Sequence, residues 1–279
     1  MTVLLGSEAL AAGTLTRHEL RTFYRRLHPD VYAPKRTELT LEDRITAAWL
    51  WSRRGGVVCG LAASGLHGAK WVDDDEPVEL ALPNRRPTAG VITRNCTISG
   101  GEITRRGAIA LTTVERTAFD LARTGRVGEA VARLDALAAA THFKHEDVRD
   151  VARRHPGARE VRRLDMVLDL VDAGAESPQE TRVRLLLLDN EFPRPTTQIP
   201  VLGPSGYPRY YLDMGWEDIM VAVEYDGEHH RKNTADYRKD IIRLEYIQSL
   251  GWIVIRVVAG NHPRDIVERV RRARASRLA

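Results

Sequence analysis

The sequence predicts an α/β protein: an N-terminal α+β module with a winged-helix outline, a helical middle, and a C-terminal mixed sheet flanked by helices. Three observations predict it. Capping signatures followed by apolar residues at helical spacing recur along the chain. Short alternating or apolar runs separate them, as strands do. The last third reads α, β, β, β, α, β, α, an order that a mixed sheet covered by helices accommodates.

Taken in order, Thr16 with Glu19 three residues later forms a capping box that opens a short helix. Arg25 to Pro34 then turns at Pro29-Asp30 as a small hairpin, and helix followed by hairpin is the winged-helix outline. Only one clear helix precedes the hairpin, so this module, residues 1–38, reads as truncated. Thr40 and Asp43 cap a second helix to Arg53, and the small residues between Gly55 and Ala69 suit close helix packing. Strands are expected at Pro77 to Leu82, Gly90 to Asn95 and Gly107 to Leu111, and Thr113 caps the next helix. Residues 39–125 form this second segment. Residues 126–174 carry helical spacing at Gly128 to Ala140, Lys144 to Arg154 and Val161 to Val171, a helical connector ending at Asp172-Ala173-Gly174-Ala175-Glu176. From 175 to 279 the pattern changes: Ser177, Pro178 and Glu180 open a helix to about Asn190, and a strand runs from Thr197 to Leu202. A hairpin turns about Gly215 to Asp218, Asp236 to Leu250 is helical, Trp252 to Ala259 is an apolar strand, and a basic helix follows Pro263.

Composition narrows the classes. The 279 residues suffice for one or two domains with substantial cores. A formal charge of +4, from 42 Lys+Arg against 38 Asp+Glu, permits nucleic-acid binding without requiring it. Cys59 and Cys96 are too few for a disulfide framework or a zinc site and read as small hydrophobes. The first residues lack a basic n-region, and no apolar run reaches membrane-spanning length. A cytoplasmic protein with nothing removed, no organic cofactor and no membrane partner is the expectation.

The stretch from Tyr210 to His230 is where chemistry is expected. Alternation puts Val221, Val223 and Tyr225 on one face of a strand and Ala222, Glu224 and Asp226 on the other, with Asp213 across the hairpin from the acidic face. Carboxylates crowded on a buried strand cost several kcal/mol unless a cation offsets them, and a divalent metal is the usual one. Glu180 from a helix start, with Asp213 and Glu224 from adjacent strands, supplies the hard oxygen donors that Mg²⁺ or Mn²⁺ prefers. His230 stands as proton acceptor or outer ligand. Each residue also has an ordinary explanation. Glu180 completes the cap of its own helix, Asp226 can cap the Gly227 turn, and His229 and His230 can be surface histidines. Asp240 and Arg243 can be an i,i+3 pair. Arg256, within an apolar strand, needs an acidic partner or a phosphate. The run Arg269, Arg271, Arg272, Arg274 and Arg277 can be a solvated helix face or meet backbone phosphates.

In order, SPQETRVRLLL, YYLDMGW, VAVEYDGEHH, DYRKDIIRLEYIQ and LGWIVIRVV resemble the restriction-endonuclease-like PD-(D/E)XK superfamily. More narrowly, they resemble an uncharacterised actinobacterial family related to very-short-patch-repair endonucleases. The resemblance covers about 175 to 270. It implies that Glu180 is the helix-borne acid, Asp213 the motif aspartate and Glu224 the first acid of the E-x-K element. Asp226 then stands where the superfamily has lysine, with Lys232 or His230 as substitutes. Arg243, Arg256 and Lys232 would touch nucleic acid. RRLHPDVYAP, AASGLHG, PVELALP and TTVERTAFDLA resemble AbiEi-like type IV antitoxins, which would imply a toxin partner. The expected function is Mg²⁺-dependent endonucleolytic cleavage of DNA. The alternatives are an inactive DNA-binding regulator or antitoxin-like protein, and a nuclease for RNA or for mismatched or branched DNA.

Overall fold

The computed structural model describes residues 3–83, 86–227 and 234–278. It is mixed α/β and divides into two compact units, Met1–Asp169 and Leu170–Ala279. No helix among the described residues is long and apolar enough to cross a membrane.

The first unit opens with β1 (Leu4–Leu5), α1 (Gly6–Ala11), α2 (Arg17–Phe23), β2 (Tyr24–His28) and β3 (Val31–Pro34). The three strands form an antiparallel sheet in the order β1-β3-β2. Thr16 and Glu19 make the expected reciprocal cap of α2. Two helices, not one, precede the hairpin. The reason α1 is silent in the sequence is that Leu5 at its N-cap makes no side-chain cap. The cap comes from Asp30 at the hairpin turn, 23 residues away, whose Oδ1 accepts the Ser7 N–H at 2.9 Å while its carbonyl accepts the Gly6 N–H at 2.9 Å.

Next come α3 (Leu41–Trp51), β4 (Val57–Cys59), α4 (Gly60–Leu66), β5 (Val78–Ala81) and β6 (Val91–Arg94). β7 (Ile103–Arg106), β8 (Ile109–Thr112), α5 (Val114–Ala122), α6 (Val127–Thr141), α7 (His145–Arg154) and α8 (Leu164–Leu170) follow. The five strands assemble in the order β6-β5-β4-β8-β7, with β4–β8 and β5–β6 parallel and the other pairs antiparallel. Two of these strands escape sequence patterning. β4 is a three-residue central strand inside the small-residue stretch that reads as helix. It ends where Gly60, at φ +59°, starts α4 in a space that the Glu79 carboxylate denies to a Cβ. β7 is a polar, mostly exposed edge strand whose composition reads as loop. The core is apolar, built from Ile45, Trp49, Val58, Ala62, Leu80 and Leu111 among others.

A buried ionic network ties this unit together. Arg116 on α5, 2% exposed, donates to Glu102 at 2.5 Å, to Asp120 at 2.9 Å and to the Thr97 carbonyl at 2.9 Å. His155, just past α7, reaches both Glu102 oxygens at 2.9 and 3.0 Å. Burial alone would raise the Glu102 carboxyl; the hydrogen bonds and charges of His155 and Arg116 outweigh it and hold the group down at about 2.

In the second unit, α9 (Pro178–Asp189), β9 (Thr196–Leu202), β10 (Pro208–Trp216), β11 (Val221–Asp226), α10 (Thr234–Ser249), β12 (Ile253–Val258) and α11 (Pro263–Leu278) form a four-stranded sheet in the order β12-β11-β10-β9. β11 and β12 are parallel and the other pairs antiparallel. Val183 and Leu187 of α9 and Ile266 and Val270 of α11 share a core with Val221, Val223 and Ile255. Ile247 of α10 packs with Ala222, Ile199 and Leu212 instead. The sheet is therefore sandwiched by helices, and β11 splits its faces as alternation requires. The connecting segment belongs to this unit by its bonds: Arg184 Nη1 donates to the Leu170 carbonyl at 2.7 Å and Arg194 Nη2 to the Val171 carbonyl at 2.9 Å.

Glu102 generates a pH prediction. A carboxyl held below its unfolded value adds stability above that value and loses it as pH falls through the folded one. Here the window runs from about 4.5 down to about 2. Glu102→Gln is expected to cost about 3 kcal/mol at neutral pH in urea unfolding. The gap to wild type should shrink as pH drops through that window; a gap that stays constant to pH 2 would refute the network's role.

Candidate active site

The site grows from the ends of three elements. Ser177 caps α9, accepting the Glu180 N–H at 3.2 Å, and Pro178 occupies the first turn. Glu180 lies buried with Oε1 accepting from the Ser177 hydroxyl at 2.8 Å and Oε2 from the Glu176 N–H at 2.9 Å. Burial pushes its carboxyl up, and the two hydrogen bonds only partly oppose that. Its capping explanation thus describes both oxygens.

Asp213 sits where the β10–β11 ladder stops. The paired residues are Met214 with Val223, Gly215 with Ala222 and Trp216 with Val221. At Gly215 the strands approach so closely that a Cβ would strike the Val221 backbone. Beyond this ladder the Asp213 Oδ2 accepts the Tyr225 N–H at 2.7 Å, a side chain taking the place of a ladder carbonyl. Burial, first, and the charge of Glu180 drive the Asp213 carboxyl from 3.8 up to about 7. Glu224 adds to the rise, and the Tyr225 N–H and Arg243 oppose it. Asp213 thus feels the charge of both Glu180 and Glu224.

Glu224, 6% exposed on β11, gives both oxygens to one guanidinium. Arg243 Nη1 donates to Oε2 at 3.0 Å and Nη2 to Oε1, while Nη2 also reaches the Tyr211 carbonyl at 2.9 Å. Asp226 receives Arg256 Nη2 at 2.8 Å, and Arg256 Nη1 reaches Asp240 at 2.8 Å. The acidic face expected to need a metal is thus met by two arginines. The i,i+3 pairing of Asp240 with Arg243 is not formed, since each residue turns to the sheet instead: Arg243 to β11, Asp240 to the β12 arginine. Arg256 does have the acidic partner its apolar strand demands, twice over. His230 and Lys232 lie outside the described residues.

The C-terminal arginines are also engaged. Arg269 Nη2 donates to the Arg256 carbonyl at 2.5 Å and Arg277 to the Gly251 carbonyl. Arg274 stacks over Trp216 at 4.3 Å and Arg271 over Phe192 at 5.9 Å. These four brace α11 against the unit, and Arg272 is exposed.

Asp213, Glu224, Asp226 and Arg243 line a cleft of about 490 Å³, joined by Tyr210 and Lys239. Tyr210 and Lys239 were not anticipated as site residues, because neither belongs to an acid pattern and only the fold brings them to Asp213. Among the described residues no group of three or more His, Cys, Asp or Glu is arranged to hold a metal. Against that, Asp213 and Glu224 are hard oxygen donors, and Mg²⁺ takes only one or two carboxylates alongside water and substrate oxygens. They suit such an ion on condition that Arg243 releases an oxygen of Glu224. Glu180 keeps to its cap and Asp226 to Arg256.

Two stability predictions follow from this electrostatic arrangement. An acid whose folded-state value lies above its unfolded one takes up a proton on folding, so the unit loses stability as pH rises from about 4 to about 7. Asp213→Asn is therefore expected to stabilise the protein at pH 8, by on the order of 2 kcal/mol, and to be neutral at pH 4; destabilisation at pH 8 would contradict it. Arg243→Ala leaves Glu224 buried without its cation and should cost about 3–5 kcal/mol in urea unfolding. Arg243→Lys, unable to bridge both oxygens, should fall between the two.

No family model matches the chain, and no solved structure matches it. It is similar to two uncharacterised proteins of Mycobacterium tuberculosis, from different strains. Each is 26% identical over 239 residues, an alignment that takes in 84% of this chain and 85% of the relative.

Proposed function

We propose that the C-terminal unit hydrolyses phosphodiester bonds in DNA with the help of Mg²⁺ or Mn²⁺. The observation that carries the reading is that Asp213 and Glu224, from the adjacent strands β10 and β11, line one cleft with Arg243 and Lys239, while Glu180 at the start of α9 adds its charge to Asp213. The order of motifs resembling restriction-endonuclease-like domains supports it. Asp213 and Glu224 would hold the ion, and Glu180 would act on Asp213 by its charge. When bound, the ion would lower the pKa of a water and offset charge on the phosphate. Arg243 and Lys239 would draw the anionic strand into the cleft. Asp226, paired to Arg256, supplies no cation in the lysine's place; that task falls to His230 or Lys232 in this reading.

A second reading has its own support: both acids of the E-x-D element are already neutralised by arginines. In that reading the unit binds DNA without cutting it, as a regulator, and the N-terminal hairpin module with its two preceding helices serves as a winged-helix-like contact. The antitoxin resemblance of the first unit belongs with it. Cleavage of RNA or of mismatched DNA uses the same acids and differs only in the substrate.

Supercoiled plasmid with Mg²⁺ or Mn²⁺ separates the readings. The wild type is expected to nick it, and Asp213→Asn, folded by its unfolding curve, to lose about 100-fold or more in rate, a deficit of roughly 2.7 kcal/mol. Equal nicking by the variant would overturn the hydrolase reading. Wild-type protein that fails to nick yet binds duplex with a steep salt dependence would establish the regulator in its place.

A further inference from the structure

Next to the acidic cleft, the start of β10 gathers aromatic and basic side chains, some packed on the core and some standing in solvent. A register shift between Pro208 and Tyr210 interrupts the β9–β10 ladder. There the consecutive residues Arg209 and Tyr210 both reach α10. The Arg209 guanidinium lies 4.6 Å from the Tyr246 ring centroid and 5.3 Å from that of Tyr210. The two rings meet edge to face at 5.9 Å, and Arg243 approaches Tyr210 at 5.9 Å from the cleft side. Tyr246 is fixed from behind, its hydroxyl donating to the Leu202 carbonyl at 2.8 Å. The flanking tyrosines stand in solvent, Tyr207 76% and Tyr211 51% exposed.

We infer that the Tyr207–Tyr211 end of β10, backed by Tyr246, is a stacking site for unpaired nucleotides, leading a strand into the Asp213 cleft. The inference deepens the phosphodiesterase reading and rests on it for what happens in the cleft. Exposed tyrosine rings offer flat apolar faces at little entropic cost, and every base has a face to match. In a duplex those faces are covered by neighbouring bases, so only unpaired nucleotides reach the rings. Charge agrees with the choice of partner. Between Leu202 and Tyr211 the only charged side chain is Arg209, and in the cleft beyond it Arg243, Lys239 and Arg256 stand among four carboxylates. Tyr210 belongs to both surfaces, since it lines the cleft that holds Asp213 and Glu224. A base stacked on Tyr210 would therefore lie beside the cleft that holds the acids.

Fluorescence anisotropy of the full chain in EDTA, with labelled oligo(dT) and the corresponding duplex, tests the site apart from cleavage. The single strand is expected to bind at least 10-fold tighter than the duplex. Tyr210→Leu, which keeps apolar bulk but loses the ring, and the surface change Tyr211→Ala should each weaken single-strand binding by roughly 10-fold, leaving duplex binding within about twofold. Oligo(U) should show the same preference over its duplex, because stacking does not read the sugar. Duplex binding as tight as single-strand binding would overturn the inference. So would tyrosine variants that bind like wild type, or RNA bound 10-fold tighter than DNA. Nicking that persists when single-strand preference is absent removes this inference alone; preference without nicking removes only the hydrolase reading.

Discussion

A carboxylate buried on the central strand of a sheet has to find a cation, and in the C-terminal unit Glu224 finds Arg243. Leaving either charge buried alone would cost several kcal/mol, so the pair constrains everything around it. It fixes how α10 crosses between β11 and β12, because the guanidinium must arrive flat against both Glu224 oxygens while Ile247 packs on Ala222. It orders the first half of β10 through the Tyr211 carbonyl. Arg256 repeats the device one strand over, bridging Asp226 and Asp240. The same helix face thus carries apolar packing and charge neutralisation, and neither can shift without the other.

Much of this fold is legible in the sequence wherever the cause is local. The caps at Thr16, Thr40, Thr113 and Ser177 each involve residues three apart, and all four are present. The two faces of β11 follow from alternation alone. What escapes is non-local. α1 is capped from 23 residues away by Asp30, β4 is central but only three residues long, and β7 is an edge strand whose polar residues look like loop. The site divides along the same line. Spacing identifies Asp213, Glu224 and the helix-borne Glu180, but it also suggests that Asp240 and Arg243 neutralise each other. Which way a helix residue turns depends on what the sheet offers it, and here the sheet offers Glu224 to Arg243 and Arg256 to Asp240. The sequence therefore anticipates an acidic partner for Arg256 but not the pairing of Arg243 with Glu224.

The first unit shows what a buried acid looks like when its surroundings fully answer it. Glu102 is among the most deeply buried charged groups of the described residues, 1% exposed, yet Arg116 and His155 hold its carboxyl down at about 2. Asp213 is the opposite case, driven up to about 7 by burial and by two other acids, with one backbone N–H and a shared arginine to oppose them. Both shifts come from the same physics with opposite sign. A network that lowers an acid is stabilised by its own presence and needs no ligand to explain it. A network that raises one carries a cost in the folded state, which a chain tolerates where the strain serves something besides folding.

Glu224 occupies the middle ground. Its charge is answered, but by a side chain from a helix that borders the cleft, and Arg243 is itself shared with the Tyr211 carbonyl and with the ring of Tyr210. An incoming phosphate would compete for that guanidinium, and drawing it toward the phosphate would loosen its hold on Glu224 while removing one of the groups that oppose the rise of the Asp213 carboxyl. Under the hydrolase reading, strand entry and the freeing of Glu224 would therefore be coupled through one arginine. This makes the Arg243–Glu224 pair compatible with a working site as well as with a silent one. What separates the two is how far the guanidinium can turn without breaking the packing of α10 on Ala222.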